Sequence, residues 1–76
     1  MFTKETFGLR LREVRTAAGE TQSQLGAVLG LKKSQISELE KGTASTTLEK
    51  AAMICAHYHI SADYLLGLTD DPEQKP

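Results

Sequence analysis

The sequence has no tryptophan, a single cysteine, and only Phe2, Phe7, Tyr58 and Tyr64 as aromatics. With so few large rings, a core of Leu, Ile, Val and Ala between helices fits better than a sheet. The lone Cys55 rules out an internal disulfide, and a reducing, cytoplasmic setting follows as the simplest expectation. No apolar run nears the roughly 20 residues that cross a bilayer, so no membrane is expected as a partner. The opening Met-Phe-Thr-Lys-Glu-Thr lacks a basic segment followed by an apolar one and does not read as a signal peptide. Also missing is an excess of positive charge: nine Lys and Arg face ten Asp and Glu, a net charge of −1. Asp70, Asp71 and Glu73 against Lys75 account for two of the negative charges, leaving the rest of the chain barely positive. Any basic surface must therefore come from placement rather than from total charge.

What is present suits one small helical domain. The chain has 76 residues, 25% of them charged and 39% hydrophobic, a globular rather than a disordered profile. A core of that size supplies little net stability, so support from dimerisation is a reasonable expectation. Phe7, Leu11, Val14 and Ala18 recur at i, i+4, i+7 and i+11 and form one stripe of a first helix, with Leu9 off the stripe. Arg10, Arg12, Glu13 and Arg15 flank that stripe.

Punctuation then divides the remainder. Thr21-Gln22-Ser23-Gln24 reads as a capping box opening a short second helix with Leu25 and Leu29. A third helix runs from Lys33 to Lys41. Thr46-Thr47-Leu48-Glu49 reads as another capping box, opening a fourth helix to Tyr58, and Ser61 caps a short fifth over 62–66. Gly19, Gly30, Gly42 and Gly67 each follow a helical stretch, as C-terminal stops do. The expectation is all-α, with five short helices, a domain over 1–68, and a flexible acidic tail or start of a linker over 69–76.

Helices two and three are joined only by Gly30, Leu31 and Lys32, so they must cross steeply around a buried turn. Gly26 is small where the second helix approaches the third, and Leu25, Leu29, Leu31, Ile36 and Leu39 supply the apolar wedge. On a helical wheel Ile36 and Leu39 face inward. Lys33, Ser34, Ser37, Glu38 and Lys41 cover the opposite face, with Gln35 at its edge. Short polar and basic residues on a projecting helix suit base edges and phosphates, although such a face taken alone is more often merely solvated.

The spacing Gln22-x-x-Leu25-Gly26-x-x-Leu29-Gly30-Leu31-x-x-x-x-Ile36-x-x-Leu39-Glu40-x-Gly42 resembles the Cro/C1-type (Xre-like) helix-turn-helix of phage repressors and bacterial regulators. Phe7-Gly8-x-Arg10-Leu11-Arg12-x-x-Arg15 is similar to that family's first helix, and Leu48-Glu49 through Leu66-Gly67 to its fourth and fifth. The resemblance implies a lambda-repressor-like fold and a sequence-specific transcriptional regulator, a repressor binding double-stranded DNA at a near-palindromic operator as a homodimer. It also implies roles for single residues. Gln22 falls at a phosphate-contacting position, joined on the DNA backbone by Lys32, Lys41 and Thr43. Lys33, Ser34 and Glu38 fall at base-reading positions, with Ser37 a lesser candidate on the same face. Arg15 and Glu40 match a partly buried ion pair that is structural rather than chemical.

Two residues depart from the family pattern. Lys32 stands where a Ser or Thr cap is common, and Glu38 turns a carboxylate to the groove, where it can accept from cytosine N4 or pair with Lys41. Together with the net charge, Glu38 supports an alternative: an antitoxin-like or protein-interaction module on the same fold, with a protein partner.

Other chemistry finds little support in the sequence. Cys55, His57 and His59 form a C-x-H-x-H string, but residues two apart on a helix diverge, and two ligands do not close a zinc site. The simpler reading makes Cys55 a small core residue, His57 a surface residue and His59 the end of a helix. There is no phosphate-cradling glycine loop and no apolar carboxylate pair, so neither an enzyme nor a cofactor or metal is expected. Ala27 and Val28 would form at most a small apolar contact. A dimer surface is suggested at Tyr64, Leu65 and Leu68.

Overall fold

The computed structural model describes residues 1–74, which form α1 (Lys4–Ala17), α2 (Gln22–Leu29), α3 (Lys33–Lys41), α4 (Leu48–Tyr58) and α5 (Ala62–Leu65). This is the expected all-α, five-helix architecture; the β pairing among the described residues is one isolated bridge between Ile60 and Glu73. Phe7, Leu11, Leu25, Leu29, Ile36, Leu39, Ile54, Cys55, Ile60 and Leu65 meet in one core. Each helix therefore contributes at least one apolar side chain to a shared interior.

The helix ends follow local chemistry. Thr21 Oγ1 accepts from the Gln24 amide at 3.1 Å while Gln24 Oε1 accepts from the Thr21 amide at 2.7 Å, a complete capping box. At α4 the cap lies one residue later than the sequence suggests: Thr47, not Thr46, accepts from the Lys50 amide at 3.1 Å. With Lys50 at the third helical position, no side chain returns the bond, and Glu49 instead sits in the first turn beside the positive end of the helix dipole. His59 takes the left-handed conformation that stops α4, at φ 55°.

Ala18, expected in the stripe of α1, is the exposed C-cap residue; the buried face of α1 runs through Phe7, Gly8, Leu11 and Arg15. The α1–α3 contact is unusually close. A Cβ on Gly8 would lie 2.3 Å from the Leu39 carbonyl oxygen and 2.6 Å from that of Glu40, so only glycine lets these backbones meet.

The C-terminal segment is not a loose tail over 69–74. The Ser61 amide donates to the Pro72 carbonyl at 2.9 Å, and Gln74 Nε2 donates to the Ile60 carbonyl at 3.0 Å. Arg10, whose guanidinium lies 4.3 Å from the Tyr64 ring centroid, donates to the Tyr64 and Thr69 carbonyls and pairs with Asp70 at 2.9 Å. Residues 75 and 76 of the expected tail lie outside the described residues. Leu65 is fully buried within this chain and Tyr64 sits under Arg10, which leaves Leu68 alone of that expected dimer trio as an exposed apolar side chain.

His57 is half-buried rather than a free surface residue. Its Nε2 lies 2.8 Å from Glu20 Oε2, and the Tyr58 hydroxyl donates to Glu20 Oε1 at 2.6 Å, tying the α1–α2 loop to the end of α4. The Tyr58 hydroxyl, followed by His57, holds the Glu20 carboxyl below its ordinary range, while burial pushes the Tyr58 phenol up. Burial likewise raises the Cys55 thiol. Among the described residues no cluster of His, Cys, Asp and Glu could hold a metal ion, and no helix is long and apolar enough to cross a membrane.

Two outcomes follow for stability. Gly8→Ala should destabilise the fold by more than about 2 kcal/mol in urea titrations, because the methyl meets backbone rather than a movable side chain. Glu20, with its folded-state pKa depressed, contributes stability that is full above its ordinary value of 4.5 and is lost as pH falls through the lower folded value. Tyr58→Phe should therefore cost roughly 1–2 kcal/mol at pH 7 and flatten the decline of stability on acidification. An acid profile parallel to that of the parent chain would show the phenol does not set it.

Candidate nucleic-acid interface

The turn between α2 and α3 is built from two glycines used differently. Gly30 adopts φ 69°, ψ 30°, reversing the chain in a region that side-chain-bearing residues rarely enter. Gly26 lets the chain fold back onto α2: the Leu31 amide donates to the Gly26 carbonyl at 2.8 Å. A Cβ on Gly26 would lie 2.5 Å from the Leu31 carbonyl oxygen, so its partner is the turn backbone rather than a residue of α3 itself. Lys50 of α4 closes the same corner, its Nζ donating to the Leu29 carbonyl at 2.6 Å.

Past the turn, Lys32 is extended at φ −79°, ψ 155°, and offers no side-chain acceptor to α3. A lysine ammonium can only donate, so the cap is one-sided: Gln35 Oε1 accepts from the Lys32 amide at 2.8 Å. The Gln35 amide donates to the Lys32 carbonyl at 3.0 Å, so the Lys33 and Ser34 amides are the ones that begin α3 without a side-chain cap.

Along α3, Ile36 and Leu39 are buried, and Lys33, Ser34, Gln35, Glu38 and Lys41 are exposed. Ser37 is half-buried and lines a polar groove with Arg12, Arg15, Gln22, Glu40 and Lys41. Glu38 and Lys41, one turn apart, form no ion pair; Glu38 instead borders a second groove with Gln35, Lys50 and the 44–47 loop. Thr43 closes the end of α3, its amide and hydroxyl both donating to the Glu38 carbonyl at 3.1 Å. The Thr43 hydroxyl is thereby turned to the helix end.

Behind this face, Arg15 and Glu40 form a two-pronged ion pair. Arg15 Nε lies 2.5 Å from Glu40 Oε2 and Nη2 lies 3.0 Å from Oε1, with the side chains only 10% and 4% exposed. Arg15 Nη1 also donates to the Glu20 carbonyl at 2.7 Å. The hydrogen bond to Glu40 is the main reason the Arg15 pKa is raised, and burial opposes it only in part. Gln22 joins the same carboxylate, Nε2 donating to Glu40 Oε1 at 3.0 Å. Its amide group is therefore held at the first turn of α2, beside the start of that helix.

The expected residues thus fall in two groups. Gln22, Ser37 and Lys41 meet around the Arg15–Glu40 pair, whereas Lys33, Ser34 and Glu38 stand out along the exposed face of α3. Lys32 lies at the turn, and Thr43 lies beyond the helix. Sequence reasoning passed over Arg12 and Lys50. For Arg12 a signal existed, since it lies one turn before Arg15 on α1; nothing local marks Lys50 as a partner of Leu29.

Comparison with known proteins agrees with this geometry. The family model described as helix-turn-helix matches residues 11–65. The chain is 39% identical over 66 residues to the HTH-type transcriptional regulator YobD of Bacillus subtilis (strain 168), covering 87% of this chain and 59% of that protein. The match thus leaves about two fifths of that relative's length unspanned. Among solved structures, the P22 c2 repressor bound to a synthetic operator superposes with a TM-score of 0.77 at 27% identity, covering 83% of this chain and 96% of that one. The restriction-modification controller protein C.AhdI of Aeromonas hydrophila gives 0.73 at 32% identity, covering 82% and 94%. With a helix-turn-helix spanning α2 and α3 inside a five-helix core, and with a regulator at 39% identity, the chain belongs to the Cro/C1-type helix-turn-helix family.

Proposed function

We propose that this module binds double-stranded DNA sequence-specifically, as a homodimer on a near-palindromic operator, and acts as a repressor. The observation that carries this reading is the exposed polar face of α3 beside a Gln22 amide held in place by Glu40. Base readout falls to Lys33, Ser34 and Glu38, with Ser37 reaching less far because it is half-buried. Gln22, Lys32 and Lys41 hold the phosphate backbone together with the uncapped start of α3. Thr43 takes part through its position at the end of α3, its hydroxyl being engaged by the Glu38 carbonyl. In this reading the role is regulatory rather than catalytic, needs no cofactor, and is exercised in the cytoplasm.

The likeness to a repressor bound to a synthetic operator supports DNA as the partner. A second reading, a protein-interaction or antitoxin-like module, is favoured by the net charge of −1 and by the carboxylate of Glu38 on the face in question. Selection of random duplexes by the purified chain, at low and at moderate salt, separates the two. Enrichment of a two-fold symmetric motif that survives moderate salt is expected; no enrichment at either salt would favour the protein partner. On the enriched duplex, Lys33→Ala should cost about 1–3 kcal/mol and relax the preference at one base position. A loss equal on all sequences would make Lys33 a phosphate contact instead.

A further inference from the structure

The groove between α1, α2 and α3 holds more positive charge than the net charge of the chain suggests. It is lined by Arg12, Arg15, Gln22, Ser37, Glu40 and Lys41 and has a volume of about 250 Å³. Its one carboxylate, Glu40, is 4% exposed and spent: Arg15 holds both of its oxygens and Gln22 donates to one. Arg12 and Lys41 face the same space from α1 and α3 and, among the described residues, have no ion-pair or side-chain hydrogen-bond partner. Two uncompensated cations thus flank an amide group and the N-terminal turn of an eight-residue helix.

We propose that this groove is a phosphate-binding site in which Arg12, a residue of α1 outside the helix-turn-helix itself, contacts a phosphodiester of the bound duplex. The inference rests on the DNA-binding reading above. The planar guanidinium presents several N–H groups and suits bidentate contact with phosphate oxygens. Lys41 supplies the second charge from the far side of the groove, and Gln22 keeps one amide hydrogen free, since Glu40 takes only the other. Buried Glu40 does not repel the anion, because the guanidinium of Arg15 neutralises it at 2.5 Å and 3.0 Å. A contact of this kind anchors α1 to the DNA backbone without reading a base.

The test compares the parent chain with Arg12→Gln and Arg12→Lys, using a fluorescein-labelled duplex pool of mixed sequence, about 25 base pairs long, titrated across a series of salt concentrations. Arg12 is exposed on α1, so both variants should keep the parent's helical circular dichroism and urea midpoint. The expected result for Arg12→Gln is a slope of log K against log[salt] shallower by about 0.9, with affinity about five- to tenfold weaker near 0.1 M salt. Arg12→Lys should restore the slope, and the relative preference among selected sequences should not change. An unaltered slope for Arg12→Gln, with the parent chain still steeply salt-dependent, overturns the site and leaves the DNA-binding reading standing. A change in base preference overturns it as well, by making Arg12 a base reader. A parent chain that binds the pool with no salt dependence overturns both.

Discussion

The Arg15–Glu40 ion pair is the constraint on which the rest of this small fold depends. Taking two charges out of water costs several kcal/mol, and that cost is offset only when the geometry is good and the remaining donors are satisfied. Both conditions are met: two parallel N–H···O contacts join the side chains, and the last arm of Arg15 reaches the Glu20 carbonyl. A well-packed apolar pair could match the stability. It would not bind the amide of Gln22, which shares the Glu40 carboxylate, and it would not fix α1 against α3 in a single register. The pair therefore contributes position more than energy.

That register has to coincide with a steric one. Gly8 admits α3 at a separation where any Cβ would overlap the Leu39 and Glu40 carbonyls. The residue that the backbone approach fixes is thus the same Glu40 that the ion pair holds. Gly26 plays the matching part at the turn, where the Leu31 carbonyl crosses α2. Three local requirements, a close approach on each side and a paired carboxylate between, leave α3 little freedom to rotate. Its outward face is consequently set by contacts made on its inward one.

Much of this was legible in the sequence, and what was not has a physical cause. Helix ends were readable because a left-handed glycine or a capping threonine acts over three or four residues, and α3 falls on Lys33–Lys41 as its punctuation implied. Thr46 and Thr47 were not separable, since either hydroxyl can cap and only the path of the loop decides. Ala18 fits the periodicity of α1, yet the buried face passes through Gly8 and Arg15, where a close backbone approach and an ion pair decide it. The segment over 69–74 looked loose because its composition is polar, while its order comes from Arg10 and Gln74, partners far away in sequence or aimed at main-chain carbonyls. The Glu20–His57–Tyr58 cluster was hidden for the same reason: no periodicity links a loop residue to a helix end 37 positions away. In the interface, the exposed face of α3 was visible from the wheel. The pairing of Arg15 with Glu40 came from resemblance rather than from spacing.

The near-neutral total says little about the charge on any one face, because three of the ten carboxylates are drawn into contacts within the fold. Glu40 is bound by Arg15 and Asp70 by Arg10, each pair neutral as a unit, while Glu20 is held by His57 and Tyr58. What remains on the outer face of α3 is Glu38, exposed and without an ion pair to Lys41. Against a duplex, such a carboxylate is repelled by every phosphate and welcomed only where a base edge offers a donor. On the proposed DNA-binding reading it weakens binding to most sequences more than to a few, which is how discrimination is built by penalty as well as by attraction. A surface that reads DNA needs its unpaired cations in the right place and any carboxylate on the reading face pointed at a base, and neither condition is visible in a sum of charges.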